Sequence, residues 1–195
     1  ISIGHAAFMS VGAYTAANLA VRMDLPFWIT LPAGGVMAAA IGAVVGIPSL
    51  RIRGLYLAIA TLAGQLIIEW TINHVPWISG GVQASIEVPR PTLFGAQLKT
   101  QFQLYWFLLF FAVLAIVGTL NLVRSRIGRA FIAIRDHDIA AEILGINIFR
   151  YKLIAFAISS FYAGVTGVLY TYYLGIANYE QFTLITSIDY LAMII

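Results

Sequence analysis

Long segments without a charged side chain are the feature that most constrains what this chain can fold into. The clearest of them runs from Phe27 to Leu50, which is 24 residues without a charge, and Leu104 to Val123 is equally uncharged. The hydrocarbon core of a lipid bilayer is about 30 Å thick, and a helix needs about 20 apolar residues to cross it. These two segments therefore predict transmembrane helices.

Further apolar segments of similar length follow the same pattern along the chain. The additional candidates are His5 to Val21, Leu55 to Val75, Leu153 to Leu174, and a segment that begins at Ile185. Only 10% of the residues are charged, so the chain has too little polar surface for a soluble domain, in which about 25% is typical. We predict an all-α, polytopic transmembrane helix bundle with about five complete spans and part of a sixth.

The whole sequence is expected to form one transmembrane domain, residues 1–195. The first residue is Ile1, and the last residues stop inside an apolar run, so we interpret the sequence as a fragment truncated at both ends. Nothing at its start has the basic region and small-residue cleavage site of a signal peptide.

The basic residues are distributed unevenly over the connections between the predicted spans. Cytoplasmic connections of membrane proteins hold an excess of Lys and Arg. If residues 124–152 are cytoplasmic, alternation places eight of the eleven basic residues on that side: Arg51, Arg53, Arg124, Arg126, Arg129, Arg135, Arg150 and Lys152. Arg22, Arg90 and Lys99 then lie outside. The net charge of +3 therefore indicates membrane orientation rather than nucleic-acid binding.

Small residues recur at every fourth position within three of the predicted spans. Lipid tails are as apolar as leucine, so membrane helices associate through close backbone approach, which small residues permit. The stripes are Gly34, Ala38, Gly42 and Gly46; Gly12, Ala16 and Ala20; and Ser160 with Gly164, next to Ala163 and Gly167. They predict a tightly packed bundle and say nothing about a substrate.

The charged connection between the fourth and fifth spans holds the pattern of a short helix. Asp138 suits its N-cap and Gly145 its C-terminal cap, which brackets about six residues. An isolated helix of fewer than about 12 residues is marginal in water, so this one must dock against something. Two interpretations are open. The apolar side inserts into a groove on a partner, or the helix lies on the membrane with arginines near anionic headgroups. The apolar side consists of Ile139, Ala140, Ile143 and Leu144.

Several segments together carry a resemblance to a known family. These segments are Ser2 to Phe8 with Gly12 to Tyr14, Arg53 to Leu62, Ser125 to Ala130 with Ala133 to Asp136, Ala140 to Glu142 with Leu144 to Ile146, and Lys152 with Ala155 to Ser159. The chain resembles the inner-membrane permease subunits of branched-chain amino acid ABC importers. The resemblance covers most of the sequence, and its cytoplasmic stretch is the most specific part.

The resemblance implies a permease in the bacterial inner membrane that translocates branched-chain amino acids. It also implies a homologous permease subunit, cytoplasmic ATPase subunits and a periplasmic substrate-binding protein as partners. A cytoplasmic coupling loop is expected within residues 124–152, where Ala140, Ala141 and Gly145 keep the spacing of a Glu-Ala-Ala, three residues, Gly motif and Ile139 replaces the Glu. The expected ATPase-coupling residues are Arg129, Arg135, Asp136, Asp138, Ala140, Ala141, Glu142 and Gly145.

A polar stripe runs along the third span. Thr61, Gln65, Glu69 and Asn73 recur every four residues on an otherwise apolar helix. An ionised carboxylate at mid-membrane costs about 2.5–3.5 kcal/mol on insertion scales, so such residues face the bundle interior or a cavity. We hypothesise that Thr61, Gln65 and Glu69 line part of a substrate path. The alternative is that they form hydrogen bonds between helices, with Glu69 near the interface.

Two other kinds of transporter stay open as alternatives to a branched-chain amino acid permease. A permease for urea or a short amide remains a rival within the same family, and an ATP-independent secondary transporter is a rival outside it, although the second and fourth spans lack charged coupling sites. The sequence has no cysteine and no carboxylate pair or nucleophile arrangement typical of an enzyme, and His5, His74 and His137 are isolated. No catalytic residue, metal or cofactor is predicted. Because no G-x-x-x-x-G-K-[ST] motif is present, a partner must hydrolyse the ATP.

Overall fold

The computed structural model describes residues 4–50, 55–80, 85–89, 92–93, 96–97 and 100–194. Some residues covered by the sequence analysis lie outside this part of the chain, namely Ile1, Ser2, Ile3, Arg51, Arg53, Gly54, Arg90 and Lys99. The described part is almost entirely helical, and the prediction of an all-α bundle is confirmed.

Every predicted span corresponds to a helix. These helices are α1 (His5–Arg22), α2 (Phe27–Ser49), α3 (Leu55–His74), α5 (Gln101–Arg124), α8 (Ile148–Leu174) and α9 (Leu184–Ile194). The largest difference from the prediction is at the start of α8, which begins at Ile148 instead of Leu153. The side chain of Asn147 explains it, because its Oδ1 accepts a hydrogen bond from the Arg150 N–H at 3.0 Å and so caps the helix earlier.

Within the described residues, three helices, α2, α5 and α8, are long and apolar enough to cross a membrane, judged by length and composition. Helix α1 is the most enclosed of the bundle, with twelve buried residues, most of them small. A helix surrounded by other helices does not need lipid-compatible side chains, which accounts for its lower hydropathy. That α1 and α3 also cross the membrane stays a prediction, and so does the count of five complete spans.

The core of the bundle is formed by α1, α2 and α8, which pack backbone against backbone. Gly12 on α1 lies so close to Gly164 on α8 that a side-chain carbon on Gly12 would overlap the Gly164 backbone. On α2, an added carbon at Gly42 would overlap the Ser160 side chain of α8. The predicted stripes of small residues therefore meet one another, and the prediction of close helix packing is confirmed.

The connection between α3 and α5 contains short structure of its own. It holds α4 (Pro76–Ser79), β1 (Ser85–Glu87), β2 (Thr92–Leu93) and β3 (Ala96–Gln97). Strands β2 and β3 pair with each other, and β1 pairs antiparallel with β4 (Ile176–Asn178), which follows α8. The connections after α3 and after α8 therefore meet at one end of the bundle, as the alternation of spans requires.

Candidate functional site

Two short helices form the connection between α5 and α8 at the other end of the bundle. Helix α6 (Arg126–Asp136) begins after Ser125, whose hydroxyl oxygen accepts a hydrogen bond from the Gly128 N–H at 3.3 Å. The buried face of α6 carries Gly128, Ala130 and Ile134. Because α6 contacts both α5 and α8, it ties the connection to the membrane helices.

The predicted helix of about six residues is present as α7 (Asp138–Ile143). An extended residue, His137 (φ −150°, ψ 96°), separates it from α6. Asp138 is the first residue of the helix rather than the residue before it, so its predicted capping position is off by one. Its carboxylate accepts a hydrogen bond from the Ile139 N–H at 2.9 Å and still satisfies a free donor of the first turn.

Gly145 ends α7 as predicted. Its φ of +82° lies in the left-handed region that glycine adopts without steric cost. The Gly145 N–H donates to the Glu142 carbonyl at 2.9 Å, and the Ile146 N–H donates to the Ala141 carbonyl at 3.0 Å. This pair of bonds is the Schellman motif, which satisfies the last carbonyl groups of a helix.

The apolar side chains of α7 point away from the protein. Ile139, Ile143 and Leu144 are between 72% and 81% exposed, and we call these three residues the α7 tip. Ala141 on the opposite face is only 2% exposed, so the helix rests on the protein through a small residue. Large exposed apolar side chains grouped in this way mark a protein or membrane interaction site.

The predicted coupling residues lie on α6, on α7 and in the turn that follows α7. Ala141 is buried and Asp138 is half-buried, whereas the other six are exposed: Arg129, Arg135, Asp136, Ala140, Glu142 and Gly145. Arg135 Nε and Asp136 Oδ1 form an ion pair at 3.3 Å, which its exposure makes weak. The predicted set is therefore divided between α6, α7 and the turn at Gly145, and its role in coupling remains a prediction.

A polar cluster lies inside the bundle around Gln65, a residue of the predicted substrate path. Gln65 is 1% exposed and sits halfway along α3. Its Oε1 accepts hydrogen bonds from the Ala7 N–H at 2.8 Å and from the Ser187 hydroxyl at 3.1 Å. Its Nε2 donates to the Phe182 carbonyl at 3.1 Å. One side chain thus joins α1, α3, α9 and the 3-10 turn Tyr179–Phe182.

Ser187 completes the cluster. Its hydroxyl oxygen accepts a hydrogen bond from the Ala6 N–H at 3.0 Å. The first N–H groups of a helix have no partner within it, and Gly4 at the N-cap of α1 has no side chain to offer. Ser187 and Gln65 supply the missing acceptors from other helices. Ser187 and Phe182 were not predicted from the sequence. They are 122 and 117 residues from Gln65, and no local pattern indicates such distant partners.

The other residues of the polar stripe occupy different surroundings. Thr61 is 2% exposed, and its hydroxyl donates to the Ala58 carbonyl of its own helix at 2.9 Å. Glu69 is half-buried, and Asn73 is exposed. Only Thr61 and Gln65 therefore face the interior fully. A role for Thr61, Gln65 and Glu69 in a substrate path stays a prediction. Among the described residues, no group of three His, Asp or Glu side chains could hold a metal ion.

The fold defines a polytopic membrane protein, in which apolar helices pack closely and satisfy polar groups inside the bundle. The chain belongs to the family described as branched-chain amino acid transport system / permease component, whose family model matches residues 1–195. This is a family of transporters rather than of enzymes, and the resemblance stated from the sequence motifs is confirmed.

Curated relatives agree with this assignment. The chain is 36% identical to the high-affinity branched-chain amino acid transport system permease protein LivM of Escherichia coli K12 and 34% identical to LivM of Salmonella typhimurium, with 99% of this chain and 51% of each relative covered. It is 28% identical to the autoinducer 2 import system permease protein LsrC of an Enterobacter species, over 80% of this chain and 45% of that relative. The chain thus spans about half the length of the curated relatives that it matches. No solved structure matches it.

Proposed function

We propose that this chain is part of the membrane-spanning permease of an ATP-driven importer that carries branched-chain amino acids across the bacterial inner membrane. Family membership and the two LivM relatives support the class of transporter and the substrate. The observation that carries the ATP-driven mechanism is the α7 tip, since its three large apolar side chains are exposed to water on a capped helix.

An ATPase subunit is the partner that best fits the α7 tip. A helix of six residues is too short to be stable alone, and its cap at Gly145 and its buried Ala141 fix it in one position instead. An apolar helix held in this way suits insertion into a groove on a folded partner. The exposed Arg129, Arg135 and Glu142 then form the polar rim that surrounds such a contact.

Direct contacts can transmit a displacement of the α7 tip to the membrane helices. Helix α7 contacts α6 and α8, and the rings of Phe131 on α6 and Tyr151 on α8 pack edge to face with centroids 6.3 Å apart. Helix α8 in turn packs through Gly164 against Gly12 of α1. Because glycine contacts leave no free space, a displacement of α8 must be passed on to α1 and α2.

The remaining partners follow from the family. A homologous permease subunit completes the pathway, and a periplasmic substrate-binding protein delivers the substrate. Within the bundle, we propose that the substrate path passes the start of α1, beside Thr61, Gln65 and Glu69. The support for this is that hydrogen bonds of Gln65, at the middle of α3, join four segments that are far apart in the sequence. Membrane transporters commonly build their binding sites at interrupted helices near the midplane.

Uptake by the complete transporter tests this proposal. The full-length permease would be reconstituted with its partner permease, ATPase subunits and binding protein in vesicles, and the uptake of labelled leucine and of labelled urea would be measured with and without ATP. The proposal predicts leucine uptake that depends on ATP. Leucine uptake without ATP would overturn the ATP-driven mechanism, and ATP-dependent uptake of urea but not leucine would overturn the substrate.

A further inference from the structure

Basic side chains surround the base of the connection between α5 and α8. Arg124 is the last residue of α5, Arg126 is the first residue of α6, and Arg150 and Lys152 lie in the first two turns of α8. We call these four residues the basic collar. The three arginines are exposed, and Lys152 is half-buried. None of them belongs to the α7 tip.

The basic collar has no acidic partner in the part of the chain that the structure describes. All eight Asp and Glu residues of the chain fall in the part that the structure describes. Among the described residues, the one ion pair joins Arg135 and Asp136, which are neighbours in sequence. Four positive charges therefore stand close to the membrane helices without a compensating carboxylate.

The positions of these charges within their helices increase the need for an anion. The first turn of a helix carries a partial positive charge, which acidic residues stabilise and cations oppose. The first turns of α6 and α8 contain no acidic residue. Instead, Arg126 begins α6 and Arg150 lies in the first turn of α8. At both helix starts, positive side chains are added to a positive helix end.

The lengths of α5 and α8 fit a collar at the level of the lipid headgroups. Helix α5 has 24 residues and α8 has 27, which at 1.5 Å per residue gives lengths of about 36 and 40 Å, longer than the hydrocarbon core of about 30 Å. Arg124 and Lys152 directly border the uncharged parts of these helices. Phe149 and Tyr151 flank Arg150, and aromatic rings, above all those of Trp and Tyr, favour the same interfacial level.

We propose that the basic collar binds the phosphate groups of anionic phospholipids and so anchors the base of the connection to the membrane surface. Clusters of Lys and Arg immediately beside a transmembrane helix are suited to anionic headgroups. Lipid bound to the collar holds the end of α5 and the starts of α6 and α8 at the membrane surface. This inference does not depend on what the α7 tip binds.

Lipid binding by the purified full-length permease tests the proposal. The protein would be titrated in a neutral detergent with phosphatidylglycerol or with phosphatidylcholine, and the lipid-bound fraction would be measured by native mass spectrometry. We expect phosphatidylglycerol to bind more tightly. Arg126→Gln and Arg150→Gln should each weaken that binding about fivefold, since a charge near an anionic surface contributes on that order. Arg126→Lys keeps the charge and should retain the binding.

Arg135→Gln is the matched control, because it removes one exposed arginine of the same connection from outside the collar. It should leave phosphatidylglycerol binding unchanged. Equal binding of the two lipids, or an equal loss in Arg135→Gln, would overturn the proposal. Displacement of phosphatidylglycerol by millimolar inorganic phosphate would instead identify a site for small anions. Displacement by added ATPase subunits would identify a protein contact, and either result also rejects the lipid surface.

Discussion

The side-chain oxygen of Gln65, in the middle of α3, accepts a hydrogen bond from the backbone N–H of Ala7 at 2.8 Å and thereby caps the start of α1. The two residues are 58 positions apart in the sequence. A helix that begins inside the membrane exposes N–H groups where no water is available to satisfy them. Gln65 therefore makes the position of α1 dependent on α3, in the region where a substrate path is proposed.

Replacing Gln65 by leucine should destabilise the bundle. The substitution removes three hydrogen bonds and leaves the buried Ala7 N–H without its acceptor, which costs about 1–3 kcal/mol. The measurement is the unfolding free energy of the full-length protein in mixed micelles. Asn73→Leu is the control, because Asn73 is exposed on the same helix, and we expect it to change stability by less than about 0.5 kcal/mol. Equal stabilities of the two variants would contradict the capping role.

Ser187 and Gln65 should behave as one unit. Ser187→Ala removes the acceptor for the Ala6 N–H and the donor to Gln65, so we expect a loss of about 1–2 kcal/mol. In a double-mutant cycle with Gln65→Leu, the loss of stability in the double variant should be smaller than the sum of the two single losses. The difference should be about 0.5–3 kcal/mol, as is usual for residues in one network. Simple additivity would mean that the two side chains act independently.

The spans could be predicted from the sequence, and the junction at Gln65 could not. Charge-free segments such as Phe27 to Leu50 indicate a membrane helix because lipid tolerates few charges, and α2 ends within one residue of the predicted boundary. Gly145 likewise predicts the end of α7, since it acts on adjacent residues. The hydrogen bond between Gln65 and Ser187 spans 122 residues, and an isolated Gln on an apolar helix does not indicate its partner.

The pairing of β1 with β4 shows the same limit. Ser85 pairs with Asn178 across two connections, and neither strand is long enough to show an alternating pattern in the sequence. What places them together is the packing of the helices between them. The short helix α7 was easier to predict because it lies within a single connection, residues 124–152, and is defined by local caps.

A glycine contact in the core should be intolerant of even one added carbon. Gly12→Ala places that carbon against the Gly164 backbone, and overpacking of this kind costs about 1–3 kcal/mol. Gly118→Ala is the matched control, because only the Tyr162 hydroxyl, the far end of a side chain, lies near it, at 3.0 Å. Thermal unfolding in detergent should show a lower midpoint for Gly12→Ala and little change for Gly118→Ala. Similar midpoints would contradict close packing of α1 on α8.

The end of α7 should depend on backbone conformation rather than on space. No atom lies within 4 Å of an added carbon at Gly145, but its φ of +82° opposes most side chains. Gly145→Val should therefore unravel the helix end and reduce ATP-dependent leucine uptake by the complete transporter. Gly145→Asn should be tolerated better, because asparagine also adopts this conformation at helix ends. Equal uptake by the two variants would exclude the backbone explanation.

Co-purification of the ATPase subunits with the full-length permease tests most directly whether an ATPase subunit binds the α7 tip. In the triple variant Ile139→Ala, Ile143→Ala, Leu144→Ala, the caps of α7 are kept and only the exposed apolar surface is reduced. The control, Val21→Ala with Met23→Ala, removes exposed apolar side chains at the C-terminal end of α1. We predict that the triple variant loses the ATPase subunits and the control retains them. Retention of the ATPase subunits by the triple variant at the wild-type level would contradict the proposed docking.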